Sequence, residues 1–379
     1  GSGIFAGDTN IIDGSETSTI LGGNINTITT ATDSTIVGGN NHTITSSNNS
    51  AIIGGTGAQI FKKNSAIIGG INNTVFGESA IVAGGTGNTA TANYSTVLGG
   101  FDNNTGDWGT VAYGSGNIIN SGTYSIVGGA DNTITAGAHA VVIGGFNNSL
   151  TTSQNSSIIG GDDNIISSTG NVLGMMATAF STISGTASYS SIIGGFDHIM
   201  SAGTKSLILG GDNNRVGGSA SLILGGAGNE IFGGGIIAGS ASGLISSGAD
   251  GGIISSYGSE LLSTSGGFIA ASSSSSLDGG DNSAIIAGNA NLIDSGDNYN
   301  AIMAGSANTI TSAARRTAII GGVGITGDVS DTVYVPSLNI GTVKSGTSVS
   351  TLGVNANGTV ISGITKEFFV NPTGISAAI

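Results

Sequence analysis

A glycine pair preceded by two aliphatic residues returns along almost the whole chain. Clear copies are Ser34-Thr35-Ile36-Val37-Gly38-Gly39, Ser50-Ala51-Ile52-Ile53-Gly54-Gly55, Ser65-Ala66-Ile67-Ile68-Gly69-Gly70, Ser125-Ile126-Val127-Gly128-Gly129 and Ser191-Ile192-Ile193-Gly194-Gly195. Weaker copies such as Ile285-Ile286-Ala287-Gly288 carry the pattern on to Ile319-Ile320-Gly321-Gly322. About 21 copies follow one another at a mean spacing of about 16 residues, a period typical of solenoids. Asn usually stands four residues after the first glycine (Asn26, Asn73, Asn88, Asn103, Asn148), and an aliphatic residue follows two further on (Ile28, Val75, Ile134). The unit reads [S/T/A]-x-[I/V]-[I/V/L]-G-G-x-x-N-x-[I/V].

Helix is incompatible with this unit. Its apolar residues come as adjacent pairs and singles rather than at i, i+3, i+4 and i+7, and its glycines would cost every helix heavily. β-Branched residues bounded by Gly, Asn and Ser read as short strands between turns. A unit this small closes a narrow coil of two strands and two turns, and stacking such coils gives an all-β parallel β-solenoid, or β-roll. At roughly 4.8 Å per coil it reaches on the order of 100 Å.

The columns created by stacking carry the functional expectation. The position two before the first glycine position reads Ile4, Ile20, Ile36, Ile52, Ile67, Val82, Val97, Val111, Ile126, Val142, Ile158, Val172, Ile192, Ile208, Ile223, Ile236, Ile253, Phe268, Ile285, Ile302, Ile319. The next position is apolar as well, from Phe5 and Leu21 to Met303 and Ile320. Strand neighbours point to opposite faces, so one column fills the interior and the other points outward. An exposed aliphatic stripe of that length calls for a partner surface. Three copies closing around a common axis cover it symmetrically, and a dimer would serve the same end.

Composition removes other classes. The 379 residues include 70 Gly, 2 Pro and no Cys, which excludes collagen, a disulfide framework and a thiolate metal site. Net charge is −14, and the eight Lys and Arg are scattered, so neither nucleic acid nor anionic lipid is an expected partner. No run of ~18 clean apolar residues suggests membrane insertion.

Irregularities mark the second half. The step from Gly174 to Gly194 suggests an insertion bulging around Phe180 to Ser190. From about Ser255 the copies turn serine-rich; in one, Ala270-Ala271 stands for the glycine pair and Ser274 for the Asn. The repeat fades after Gly327. Residues 1–325 therefore read as a β-roll shaft and 326–379 as a small C-terminal β cap or connector. Within the latter, Asp331–Pro336 reads as a strand and Leu352–Ile361 as a hairpin turning at Asn357-Gly358.

Units such as Ser65-Ala66-Ile67-Ile68-Gly69-Gly70-Ile71-Asn72-Asn73-Thr74-Val75 resemble the head repeats of YadA-like trimeric autotransporter adhesins. The resemblance covers roughly residues 1–325 and implies a trimeric, left-handed parallel β-roll. Similar repeats occur in phage tail fibres. The tract Asp331 to Gly363, with Thr332-Val333-Tyr334-Val335-Pro336 and Gly353-Val354-Asn355-Ala356-Asn357-Gly358, is similar to tracts near the C-terminus of tail-fibre-like proteins, which often precede a self-removing chaperone. No neck motif or heptad stalk of the adhesin type follows the repeats. The resemblance thus implies a structural tail-fibre protein of the virion that contacts other fibre proteins and a host-surface glycan or protein. The head of a bacterial surface adhesin is the alternative.

Chemistry is sparse. His42 and His198 fall in the Asn column and read as turn residues, and His139 precedes a strand; their spacing does not suit zinc. Asp102-Asn103-Asn104, Asp162-Asp163-Asn164 and Asp212-Asn213-Asn214 read as turn chemistry rather than calcium loops. With so many glycines, phosphate-loop fingerprints arise by chance. No catalytic residue, cofactor or metal is expected. An ice-binding or glycan-degrading solenoid is a further class, but the Thr ladders are interrupted and no convergent carboxylate pair appears. Phe101, Phe146, Phe196 and Tyr257 share one turn position, and Tyr94, Trp108, Tyr113 and Tyr124 cluster in sequence. Phe101, Trp108, Tyr113, Phe146 and Phe196 are the candidate surface-contact residues, with packing between chains as the competing role for such rings.

Overall fold

The computed structural model describes residues 1–337 apart from 107, 122, 247–250, 263–264, 280 and 295–298, together with the strands Leu352–Val354 and Val360–Ser362. The described elements are all strands, most of two to four residues. Between the first and last coils of residues 1–336, each strand pairs in parallel with the equivalent strand one coil before and one coil after. Ala51–Ile53 lies on Ala66–Ile68 with Ile52 opposite Ile67, and Gln59–Ile60 lies on Thr74–Val75 with Ile60 opposite Val75. The result is a parallel β-solenoid with two stacks, of 22 and 21 strands. A third column of single bridges runs along one turn, through Asp8, Asn24, Asn40, Thr56 and Ile71 and on to Val323.

Strand alternation fills the narrow interior. Ile52 and Ile67 are wholly buried, while Ile53 and Ile68 on the same strands are about half exposed. The second stack adds Ile28, Ile44, Ile60, Val75 and their successors from the other side. Burying a side chain of this size contributes roughly 1.5–3 kcal/mol, repeated twice in nearly every coil.

Two polar ladders lie inside the turns. In the first, most Asn residues donate from Nδ2 to a carbonyl four residues back and to another one coil ahead: Asn88 reaches Gly84 O at 2.9 Å and Gly100 O at 3.0 Å. Its Oδ1 accepts the backbone N–H of Asn103, the next rung, at 3.1 Å. The second ladder is serine: Ser34 donates to Ser47 O, and its hydroxyl accepts the N–H of Ser50. Buried backbone groups that the strands cannot pair are satisfied in this way.

The Asn ladder explains the second glycine of the pair. Gly85 has φ +85°, and a Cβ there would stand 2.4 Å from Asn88 Nδ2 and 2.2 Å from Gly100 O. Four coils carry another residue at this place: Thr178, Ser240, Ser256 and Ser272. Each of them has lost the Asn three residues on, to Ser181, Gly243, Ser259 and Ser275. Their turns also differ: positive φ is confined to the first residue of the pair (Ala177, Gly239, Ser255, Ala271), whereas pairs such as Gly38-Gly39 and Gly54-Gly55 have it at both residues. A side chain at this place thus goes with loss of the asparagine, whereas glycine also stands before His42, Ala58, His198 and Ile325.

Strand register corrects the glycine-based frame in four coils. Val127, Met175, Ile237 and Ile269 are the buried residues there, not Ile126, Val172, Ile236 and Phe268. Backbone pairing decides it: Val111 faces Val127, Ile158 faces Met175, Ile223 faces Ile237 and Ile253 faces Ile269. The bulge expected around Phe180 to Ser190 is absent. Met175 stands midway between Ile158 and Ile192, and the turns after Ile166 and Ile183 each take one extra residue instead. Likewise the serine-rich coil uses Ala271-Ser272 as its pair and Ser275 as its ladder residue, rather than Ala270-Ala271 and Ser274.

Coil geometry outlasts the repeat motif. Val333–Tyr334 still pairs in parallel with Ala318–Ile319, and the compact unit runs from Gly1 to Pro336. Ser337–Ile379 forms a second unit, in which Leu352–Val354 pairs antiparallel with Val360–Ser362. The turn expected at Asn357-Gly358 lies outside the described residues.

Candidate functional site

The first strand stack presents two outward columns on either side of the buried one. The column after it reads Leu21, Val37, Ile53, Ile68 and Leu98, then Ile143, Ile159, Met176, Ile193, Leu209, Leu224, Ile254, Ile286, Met303 and Ile320, all exposed. The column before it is mostly Thr, Ala, Ser and Gly. Neither column holds a charged residue. About 18 large side chains, each showing roughly 80 Å², expose on the order of 1,400 Å² of aliphatic surface, well above the few hundred Å² usual on a soluble monomer.

In four coils the two columns trade bulk, although Val141-Val142-Ile143, Leu207-Ile208-Leu209 and Leu222-Ile223-Leu224 are large on both sides and Thr110-Val111-Ala112 is small on both. Where the later column shrinks to Ala83, Gly128, Ala238 or Ala270, the earlier column enlarges to Ile81, Ile126, Ile236 or Phe268. Elsewhere the large residue follows the buried one and a small residue often precedes it, as in Ala66-Ile67-Ile68 and Gly252-Ile253-Ile254. The second strand stack has a different outer face. It bears Thr27, Thr29, Thr43, Thr45, Thr74 and Thr133, and later Arg215 opposite Glu230. The solenoid is therefore amphipathic, with one aliphatic and one hydroxyl-rich and charged side.

The five candidate aromatics do not converge. Trp108 stands on one turn in a run of rings over successive coils: Tyr94 to Trp108 4.3 Å, Trp108 to Tyr124 5.3 Å, Tyr124 to His139 5.4 Å. All four residues have positive φ, a costly backbone for such side chains, and ring stacking offsets part of that cost. Because the rings cover one another's faces, they offer mainly edges to solvent. His139 was legible in sequence only as a lone residue; its place above Tyr124 needs the coil register. Phe101, Phe146 and Phe196 occupy the bridge column on the other turn, and Phe196 packs on Phe180 at 5.2 Å. Phe101 and Phe146 are separated by three coils, about 14 Å. Tyr113 projects alone from a bulge and is 75% exposed.

His42 and His198 are ladder rungs, as expected from their column. Nδ1 of His42 accepts the Ala58 N–H at 3.1 Å, and Nδ1 of His198 accepts the Asn214 N–H at 3.2 Å. The ring thereby copies the asparagine amide, Nδ1 replacing Oδ1 and Nε2 replacing Nδ2. Nε2 lies near the carbonyls that the amide would reach but closes no hydrogen bond of normal geometry. Burial pushes both imidazoles below their ordinary pKa, against a weaker upward pull from the Gly55 carbonyl on His42 and from Asp212 and Asp197 on His198. Among the described residues, no group of three or more His, Asp or Glu side chains is placed to hold a metal ion. No helix there is long and apolar enough to cross a membrane.

These features define a class: a parallel β-solenoid with an uncharged aliphatic face. No protein-family model and no curated protein matches the chain.

Proposed function

We propose that this chain is the shaft of a homotrimeric fibre, a structural component of a phage tail that carries contact sites for the host surface. The aliphatic face carries the reading, because water-exposed surface of this extent is covered in a stable protein. Its area exceeds the roughly 800 Å² that each partner contributes to a standard interface. The trade of bulk between columns at Ala83, Gly128, Ala238 and Ala270 supports parallel copies in register. Around a cyclic axis, the later column of one chain would meet the earlier column of its neighbour at the same height, so a small residue in one column can be made up by a large one in the other within the same coil. An antiparallel pair would balance bulk between opposite ends instead. Three stiff shafts present every surface site three times, and avidity then multiplies weak contacts.

Light scattering with negative-stain microscopy tests this. The expected particle has three times the 36.6 kDa chain mass and an elongated outline. Ile68→Asp, on the outer face, should leave each solenoid folded but lower the mass, whereas Ile67→Asp should prevent folding by burying an unpaired charge. A soluble wild-type monomer, or an Ile68→Asp protein that assembles normally, would overturn the proposal.

A further inference from the structure

We infer that the groove around Tyr257 is a binding subsite for a neutral hexopyranose of a surface glycan. The groove has a volume of about 600 Å³ and opens along the bridge-column turn between Gly226 and Gly288. Its origin is visible in the columns. The position that holds Phe101, Phe146 and Phe196 falls to Ala227 and Ala241 before Tyr257 and to Ser273 after it. The same coils have exchanged their Gly and Asn pair for Ser240, Ser256 and Ser272, which reshapes the turn. Small residues on both sides leave a trough with a single ring standing in it.

Three observations select the ligand. Tyr257 is 64% exposed and has no ring partner among the described residues; its column neighbours are Ala241 and Ser273, so its faces remain open, unlike those of the Tyr94–His139 stack. An open aromatic face beside hydroxyls suits the apolar C–H face and the polar rim of a pyranose. The hydroxyls of Ser255 and Ser273, which line the groove, have no hydrogen-bond partner among the described residues and remain free to bond a ligand. Every lining residue is Gly, Ala, Ser or Tyr, so nothing there would neutralise a charged ligand. The bridge column carries Asp162 and Asp212 elsewhere, charges that an apolar seam between chains would leave unpaired, so this turn faces away from the proposed common axis. The inference rests on the fibre reading in one respect: it names the surface chemistry that a fibre would grip.

Saturation-transfer NMR on the full chain tests it, with the methyl glycosides of glucose, galactose and mannose as probes at millimolar concentration. Transfer to the ring protons of at least one probe is expected, abolished in Tyr257→Ala and kept in Tyr257→Phe. Ala241→Tyr gives a second variant, in which a new ring covers the face of Tyr257 and blocks transfer while the native residue stays. Light scattering on the same samples should give one mass for all four proteins. No transfer from any probe, or transfer that survives both Tyr257→Ala and Ala241→Tyr, would overturn the site. Ring-dependent transfer to a monomeric wild type would keep the site and refute the fibre.

Discussion

Replacing Asn88 by Ala should release one rung of the polar ladder without touching the aliphatic core. Asn88 is fully buried. Its Nδ2 serves Gly84 O and Gly100 O, and its Oδ1 accepts both the N–H and the Nδ2 of Asn103. Gly100 O keeps a second donor, the Thr86 N–H, so its loss is partial. The Asn103 N–H has no other acceptor within reach and is left stranded in the interior. A buried unsatisfied donor costs about 1–3 kcal/mol, and the lost amide bonds bring the expected total to about 2–3 kcal/mol. At 1.4 kcal/mol per tenfold, exchange protection of the Asn103 amide should fall roughly 30- to 150-fold. Hydrogen exchange followed by mass spectrometry on peptides spanning 96–111 reads this directly, with distant peptides as internal reference. Protection at Asn103 unchanged within about threefold would show that the ladder does not hold neighbouring coils together.

Three further outcomes follow from the same geometry. Gly85→Ser should destabilise strongly, because its Cβ meets Asn88 Nδ2 at 2.4 Å. Joined to Asn88→Ser it should cost less than the two single changes summed, by about 1–3 kcal/mol in urea unfolding, and simple additivity would reject the coupling. Stability should fall with acid. The folded state refuses the proton on His42 and His198 while the unfolded state accepts it near the ordinary value of 6.5, so stability is full above that value and declines as pH drops through it toward the lowered folded pKa. Thermal unfolding of a His42→Asn/His198→Asn protein should show a shallower pH slope between about 7 and 5; an identical slope would refute the assignment. Finally, Ile81→Ala should weaken assembly, and adding Ala83→Ile should restore it by returning bulk to the coil. Failure of the second change, judged by the concentration at which the particle dissociates, would contradict the trade of bulk between columns.

Much of the architecture was open to reading before any coordinate. The paired aliphatics of Ser65–Gly70, the Asn of each turn and the absence of helical spacing are local patterns, and identical units stacked on one another inherit one geometry. His42 and His198 could be placed in the Asn column by counting alone. Counting failed where the glycine pair was altered, at Val172, Ile236 and Phe268, and where Gly128 of an intact pair takes the outward strand position after Val127. At Ile126, Val172, Ile236 and Phe268 the frame depends on which residue pairs with the coil beneath, and that partner is 14 to 17 residues away in the chain. The insertion near Phe180 dissolved for the same reason.

The sequence by itself determined that the chain is a β-solenoid with two aliphatic columns, because a period-2 strand inside a fixed repeat sends neighbouring side chains to opposite sides. Only the tertiary structure decided which aromatics meet. Tyr94, Trp108, Tyr124 and His139 become a stack, and Tyr257 stands alone in a groove, through the heights and turns at which separate coils place them. Contacts between coils depend on strand register and on the size of the residues above and below, and neither is a property of any single repeat.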